Sequence, residues 1–182
     1  MSFKLNFPLE NREILLNLSV GDFVEISGWI LCGRDATCRK ILKAITEEDF
    51  QFDFTHHLMY YVGPTPAPPG KIIGSCGPTT SSRMDDFMKE FFDLGLSATM
   101  GKGKRSNKVR ELHAFYKRVY FITFGGAGAY LSQFVKKVEP IAWEELGPEA
   151  FFRIKVESFP AVVGIDTVGR DLYERSSPLF PA

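Results

Sequence analysis

The chain has no excess charge of either sign: 22 Lys and Arg residues stand against 22 Asp and Glu residues among 182, for a formal net charge of +0. No overall field points to a nucleic acid or an anionic membrane, so any anion specificity must be local. Cysteine is scarce. Cys32, Cys38 and Cys76 are the only 3, an odd number without a CxxC pair, which indicates neither a disulfide framework nor a zinc site. A complete set of iron–sulfur ligands is also missing. The N-terminus MSFKLNFPLE has no apolar run of signal-peptide length, and the longest weakly polar stretch, Val119 to Leu131, is too short and glycine-rich to span a bilayer. A cytoplasmic protein with no nucleic-acid or membrane partner is expected. Nucleophile elbow, HExxH and Rossmann glycine fingerprint are all absent, and GKGKRS at 101–106 lacks the spacing of a P-loop. His56 and His57 are adjacent and would face opposite sides of a strand, while His113 falls in a helical stretch, so no metal site is expected in this chain.

What is present is apolar bulk. Hydrophobic residues make up 45%, with 17 Phe, enough to bury a core in a single domain over 1–182, with 1–10 and 176–182 as terminal extensions. Strands are expected at Asp22 to Leu31, Leu58 to Val62, Lys71 to Gly74, Leu96 to Met100 and Val119 to Phe124, from alternation or short continuous apolar runs. Three more are expected at Val135 to Ile141, Phe151 to Val156 and Ala161 to Ile165, separated by turns. Helical spacing begins at Arg34, spans Met84 to Leu94 with a stop at Gly95, runs from Asn107 to about Tyr116, and recurs briefly over Ala127 to Leu131. Asp166 and Asp171 read as turn residues rather than a catalytic pair.

Three loops between a strand and a helix carry the chemistry. One holds Arg34, the second holds Thr79 and Arg83, and the third holds Lys102 and Arg105. The second, GSCGPTTSSRMD at 74–85, places Gly74 and Gly77 where a ligand can approach the backbone closely, with hydroxyls on Thr79, Thr80, Ser81 and Ser82. A helix after it would offer unpaired N–H groups, and Arg83 adds a fork that fits a carboxylate or phosphate. The same residues also read as an ordinary N-cap with turn chemistry, and GKGKRS as a solvated basic loop; local sequence leaves both readings open. In mixed α/β sheets such loops converge at one edge, where several cations among hydroxyls suit a small dianion.

Taken together, GRDA at 33–36, YYVGPTPAPPGKIIGSCGPTTSSRMD at 60–85, GKGKRS at 101–106, GGAGAYL at 125–131 and LGPEAFFRIKVESFPAVVGID at 146–166 resemble one family. It is the β subunit of class I, iron–sulfur fumarate hydratase and of L-tartrate dehydratase, equivalent to the C-terminal domain of single-chain fumarases. The resemblance implies an α/β fold, a three-layer β/β/α swivelling domain with mixed sheets. It implies a partner α subunit whose cysteines hold a four-iron four-sulfur cluster, a small dicarboxylate substrate, and a hetero-oligomer, or a homodimer of the isolated chain. By the same resemblance Arg34, Arg83 and Lys102 bind substrate carboxylates and Thr79 is the base that removes a proton next to a carboxylate; Gly77 and Thr80, from the loop's own chemistry, are expected to bind substrate beside them. Cys38 stands where the family commonly has a histidine. The activity implied is reversible hydration of fumarate to L-malate, with tartrate dehydration or a non-catalytic, stand-alone anion-binding module as alternatives.

Overall fold

Residues 58–62, apolar at every position, form a strand covered on both faces, as a continuous run requires. Leu58, Tyr60 and Val62 join one buried cluster, while Met59 and Tyr61 join another. The computed structural model describes residues 2–174. In chain order the elements are β1 (Phe3–Phe7), β2 (Phe23–Gly33), α1 (Asp35–Thr46), β3 (Leu58–Tyr61), α2 (Met88–Asp93), β4 (Ala98–Gly101), α3 (Asn107–Tyr116), β5 (Val119–Ile122), α4 (Gly128–Leu131), β6 (Val135–Ala142) and β7 (Phe151–Ile165).

Strands β2, β3, β4 and β5 run parallel, each bonded to the next. β7 is antiparallel to both β5 and β2, so five strands close into a ring. β1 adds parallel to the first half of β2, and β6 adds antiparallel to the first half of β7. The mixed α/β class is as expected, and the strand pairing adds a closure that the three-layer expectation did not include. Ile26, Ile30, Tyr60, Met100, Phe121, Ile154 and Phe159 are in one buried cluster. Side chains of alternate strand positions meet α1, α2 and α3 through Leu31, Tyr61, Cys38, Ile41, Phe91, Phe92 and Val109.

Five expectations are corrected. Residues 2–10 are not an extension: Phe3, Leu5 and Phe7 alternate with polar residues, and Leu5, Phe7 and Leu9 are buried. Lys71 to Gly74 is loop, held between Pro68–Pro69 and a closure in which Thr65 N–H donates to Ser75 O at 3.0 Å. The two C-terminal strands 151–156 and 161–165 are one continuous β7, because a bulge keeps it paired across the intervening residues. There Ser158 has φ 50, and its N–H donates to Ser27 Oγ at 3.0 Å. The helix expected from Met84 starts as a 3-10 turn over Ser81–Phe87 before α2. Residues 176–182 lie outside the described residues. His56 lies in a turn at φ 67 rather than in a strand.

Candidate functional site

Because β2 through β5 are parallel, their C-terminal ends share one rim, and each candidate loop leaves from it. Arg34 follows β2 directly and caps α1. The long loop 62–80 leaves β3 and returns to it, with Val62 bridged to Pro78 and Thr79 N–H donating to Tyr61 O at 2.8 Å. Lys102 follows β4, its N–H donating to Thr79 O at 3.3 Å while its carbonyl accepts from Ser81 N–H at 3.0 Å. Thr79, Thr80 and Lys102 are thereby laced together by main chain. The N–H groups of Thr79 and Ser81, which a helix N-terminus would have left open to an anion, are spent on this lacing. These two donors are therefore not available to an anion at the rim.

Arg83 lies in the 3-10 turn two residues beyond Ser81, exposed to solvent, and among the described residues it forms no ion pair. Lys102 is half-buried, its side chain lying along Gly125 in the turn after β5. Gly77 and Gly128 pack backbone to backbone: a Cβ on Gly128 would stand 2.7 Å from Gly77 N, so the 74–77 segment and α4 approach this closely only with glycine between them. Arg34 sits on the far side of β3 from Lys102, two strand spacings or about 10 Å at the level of the sheet. Its guanidinium lies against Gly63, where a Cβ would come within 2.8 Å of Cδ and Nη1. Arg34 Nη2 is 3.4 Å from Glu149 Oε1, and Nε is 4.0 Å from Asp35 Oδ1.

Arg105, grouped with Lys102 as a free cation of the basic loop, is instead turned inward. It is 2% exposed, its Nε donates to Asp85 Oδ1 at 2.6 Å, and it lies between the rings of Tyr61 and Tyr120. Asp85 Oδ2 also accepts from Ser106 N–H at 2.8 Å, so one carboxylate ties GPTTSSRMD to GKGKRS. Tyr120 adds a second tie: its hydroxyl donates to Gly103 O at 2.9 Å and stands 3.0 Å from Ser81 Oγ. Sequence reasoning gave no role to Asp85 or Glu149. Both lay in plain view inside quoted motifs, but their partners lie on other loops, and no local pattern announces them. A cleft of about 730 Å³ beside β1, lined by Lys4, Asn6 and Glu13 among others, contains none of these residues.

The three cysteines do not fit a cluster or metal. Cys32, Cys38 and Cys76 are fully buried, and burial pushes their thiols up, to about 12 for Cys38 and about 11 for Cys76, so they stay protonated. Among the described residues no group of three or more His, Cys, Asp or Glu is placed to hold a metal ion. Cys38 packs in the core cluster with Leu31, Ile41 and Tyr61. Asp166 and Asp171 are turn residues as expected. The Asp166 carboxylate accepts from the N–H groups of Val168 and Arg170, both at 3.1 Å, and Asp171 Oδ1 accepts from Tyr173 N–H at 2.9 Å.

The described residues form a mixed α/β domain with a cationic, hydroxyl-bearing rim at the C-terminal ends of its parallel strands. The chain belongs to the fumarase C-terminal family, whose model, described as "Fumarase C-terminus", matches residues 2–176. It is similar to "Fumarate hydratase class I, aerobic" of Escherichia coli K12, 35% identical over 177 residues, covering 94% of this chain and 32% of that protein. It is 38% identical to "Fumarate hydratase 1, mitochondrial" of Leishmania major over 179 residues, again 94% of this chain and 32% of the relative. A shorter relative, "Putative L(+)-tartrate dehydratase subunit beta" of Methanocaldococcus jannaschii, is 35% identical over 164 residues, 86% of this chain and 84% of that one. The chain thus spans about a third of the fumarate hydratases it matches and most of the β subunit.

Proposed function

We propose that this chain is the β subunit of an iron–sulfur hydro-lyase and supplies the carboxylate-binding half of a site completed by an α subunit, with fumarate and L-malate as the substrate pair. The observation that carries this reading is the convergence of Arg34, Thr79, Arg83 and Lys102 on one rim of a fumarase C-terminal domain. Arg34 and Arg83 suit carboxylates because a guanidinium fork makes two parallel charge-assisted bonds. Gly77 and Thr80 line the approach. In the dehydration direction Thr79 Oγ1 takes the proton from the carbon next to a carboxylate, and Arg83 and Lys102 stabilise the charge that builds on that carboxylate. A threonine hydroxyl is a weak base at neutral pH, so neighbouring cations are needed to favour its ionised form. Activation of the departing hydroxyl is Lewis-acid chemistry, assigned by the family resemblance to a four-iron four-sulfur cluster on the α subunit, since the buried thiols of this chain do not fit one.

The tartrate reading is supported by one specific observation, the 35% identity to the L(+)-tartrate dehydratase β-subunit relative over 164 residues. A substrate screen separates the two. The chain purified alone is expected to be inactive, and activity to appear after anaerobic mixing with a reconstituted α subunit. Fumarate hydration by the isolated chain would overturn the reading, and a chain that binds dicarboxylates but gains no turnover from any cluster-bearing partner would favour the non-catalytic module.

A further inference from the structure

Among the described residues, the ionic partners of Arg34 stand at Nε and Nη2. Its Nε and Nη2 face the carboxylates of Asp35 and Glu149 at 4.0 and 3.4 Å, and Nε is buried without a hydrogen-bond acceptor. Gly63 leaves room for Cδ and Nη1, and the same missing Cβ would stand 3.4 Å from Pro148 O. The guanidinium therefore lies between the start of the 62–80 loop and the Pro148–Glu149 segment that leads into β7. That segment is itself fastened to the start of α1: Thr37 Oγ1 donates to Glu149 O at 2.6 Å and accepts from Arg34 N–H at 2.9 Å. One threonine thus fixes the main chain of both partners of the ion pair. A guanidinium presents two forks to carboxylates, a side fork of Nε and Nη2 and an end fork of Nη1 and Nη2. The acidic pair stands at the side fork.

We propose that Glu149 is the positioning residue of Arg34. It engages the side fork and so offers the end fork, in a fixed orientation, to a substrate carboxylate. This rests on the reading of Arg34 as carboxylate-binding. Glu149 lies at part-buried depth, 29% exposed at its side chain against 25% for Arg34, so the pair is a means of orientation more than a source of stability.

The test compares three variants in the complex with the α subunit. Glu149→Ala should raise KM for the dicarboxylate about tenfold with kcat less affected, since a misplaced binding group costs that order of affinity. Glu149→Gln keeps an acceptor for Nη2 and should stay within about threefold of wild type. Glu149→Asp, one carbon shorter, should behave like the alanine variant. If Glu149 acted through its charge alone, Asp would match wild type and Gln would match Ala, and that order overturns the proposal. A second readout needs no turnover: the Nε–Hε signal of Arg34 in the nitrogen-15 spectrum of the full chain, assigned by its loss in Arg34→Lys. It should shift in Glu149→Ala and hold in Glu149→Gln. An unmoved signal with an unchanged KM overturns the proposal, as does a lowered melting temperature with unchanged KM. A wild-type complex without hydro-lyase activity would remove the functional reading, leaving the Arg34 signal to decide the role of Glu149.

Discussion

Arg83 and Arg105 stand on the same rim, in two motifs of similar composition, and do opposite things. Arg105 is buried, its Nε bonded to Asp85 and its Nη1 to Thr99, its Nη2 sealed from water without a partner, and its faces covered by Tyr61 and Tyr120. Arg83 is exposed, with no ion pair among the described residues. Burying a charge is costly unless partners replace water, so an inward arginine with a carboxylate is committed to geometry, here the joining of two loops. An arginine whose fork remains in water keeps it available for a ligand. What distinguishes a structural cation from a candidate binding cation is what consumes its donors, and neither composition nor motif shows that.

The comparison breaks most visibly at Arg105. Arg105→Ala removes one partner of a buried pair and leaves Asp85, only 13% exposed at its side chain, facing a void. Loss of about 3–5 kcal/mol of stability is expected, measured by urea unfolding of the chain. A loss below about 1 kcal/mol, the size of an exposed pair, would show that the two loops do not depend on it. Next in size is Arg83→Lys. The ammonium keeps the charge and loses the bidentate fork, so kcat/KM in the reconstituted complex should fall about 100-fold with the melting temperature unchanged. Near wild-type kinetics would take Arg83 out of the site.

Much of this rim was legible in the chain itself. Alternation and apolar runs located the strands β2 to β5, and turn residues located the loops between them, because those signals depend on near neighbours. Closure of the ring was not legible: β7 pairs with both β2 and β5, with a register shift in each pairing, one of them at Ser27 and Ser158. β1 was missed although FKLNF alternates cleanly, since a short alternating run at a terminus looks like a tail until a partner edge exists. Among site residues, Thr79 and Lys102 were recognised by motif, but their lacing depends on Tyr61, Gly101 and Ser81 being brought to one level by parallel strands. The inward turn of Arg105 depends on Asp85 in the same way. Pairings across loops are settled by packing, and packing leaves little trace in a local window.

A smaller effect sharpens the same comparison through pH. His113 is fully buried beside Phe92, and burial, reinforced by the Arg105 charge, pushes its imidazole down to about 3, while its Nδ1 lies 2.8 Å from Val109 O. The folded chain therefore keeps His113 neutral at pH values where the unfolded chain, near its ordinary 6.5, takes up a proton. Its contribution to stability is constant above about 6.5 and is lost progressively as pH falls toward about 3. His113→Leu should flatten that part of the acid limb in a pH series of thermal melts. An acid limb identical to wild type would mean that the site admits a charge and is not sealed by α3.

The smallest effect is expected at Lys89 and Asp93, one helical turn apart on α2, with Nζ and Oδ2 at 2.7 Å. That separation nearly equals the 2.6 Å of Arg105 and Asp85, so distance alone predicts equal importance. Exposure predicts otherwise. The Lys89 side chain is 60% exposed and that of Asp93 47%, so water competes for both ends and salt screens what remains. Lys89→Ala should leave the melting temperature unchanged within error at low and high ionic strength alike. A loss comparable to that of Arg105→Ala would mean that contact distance, rather than what surrounds the contact, ranks the ion pairs of this domain.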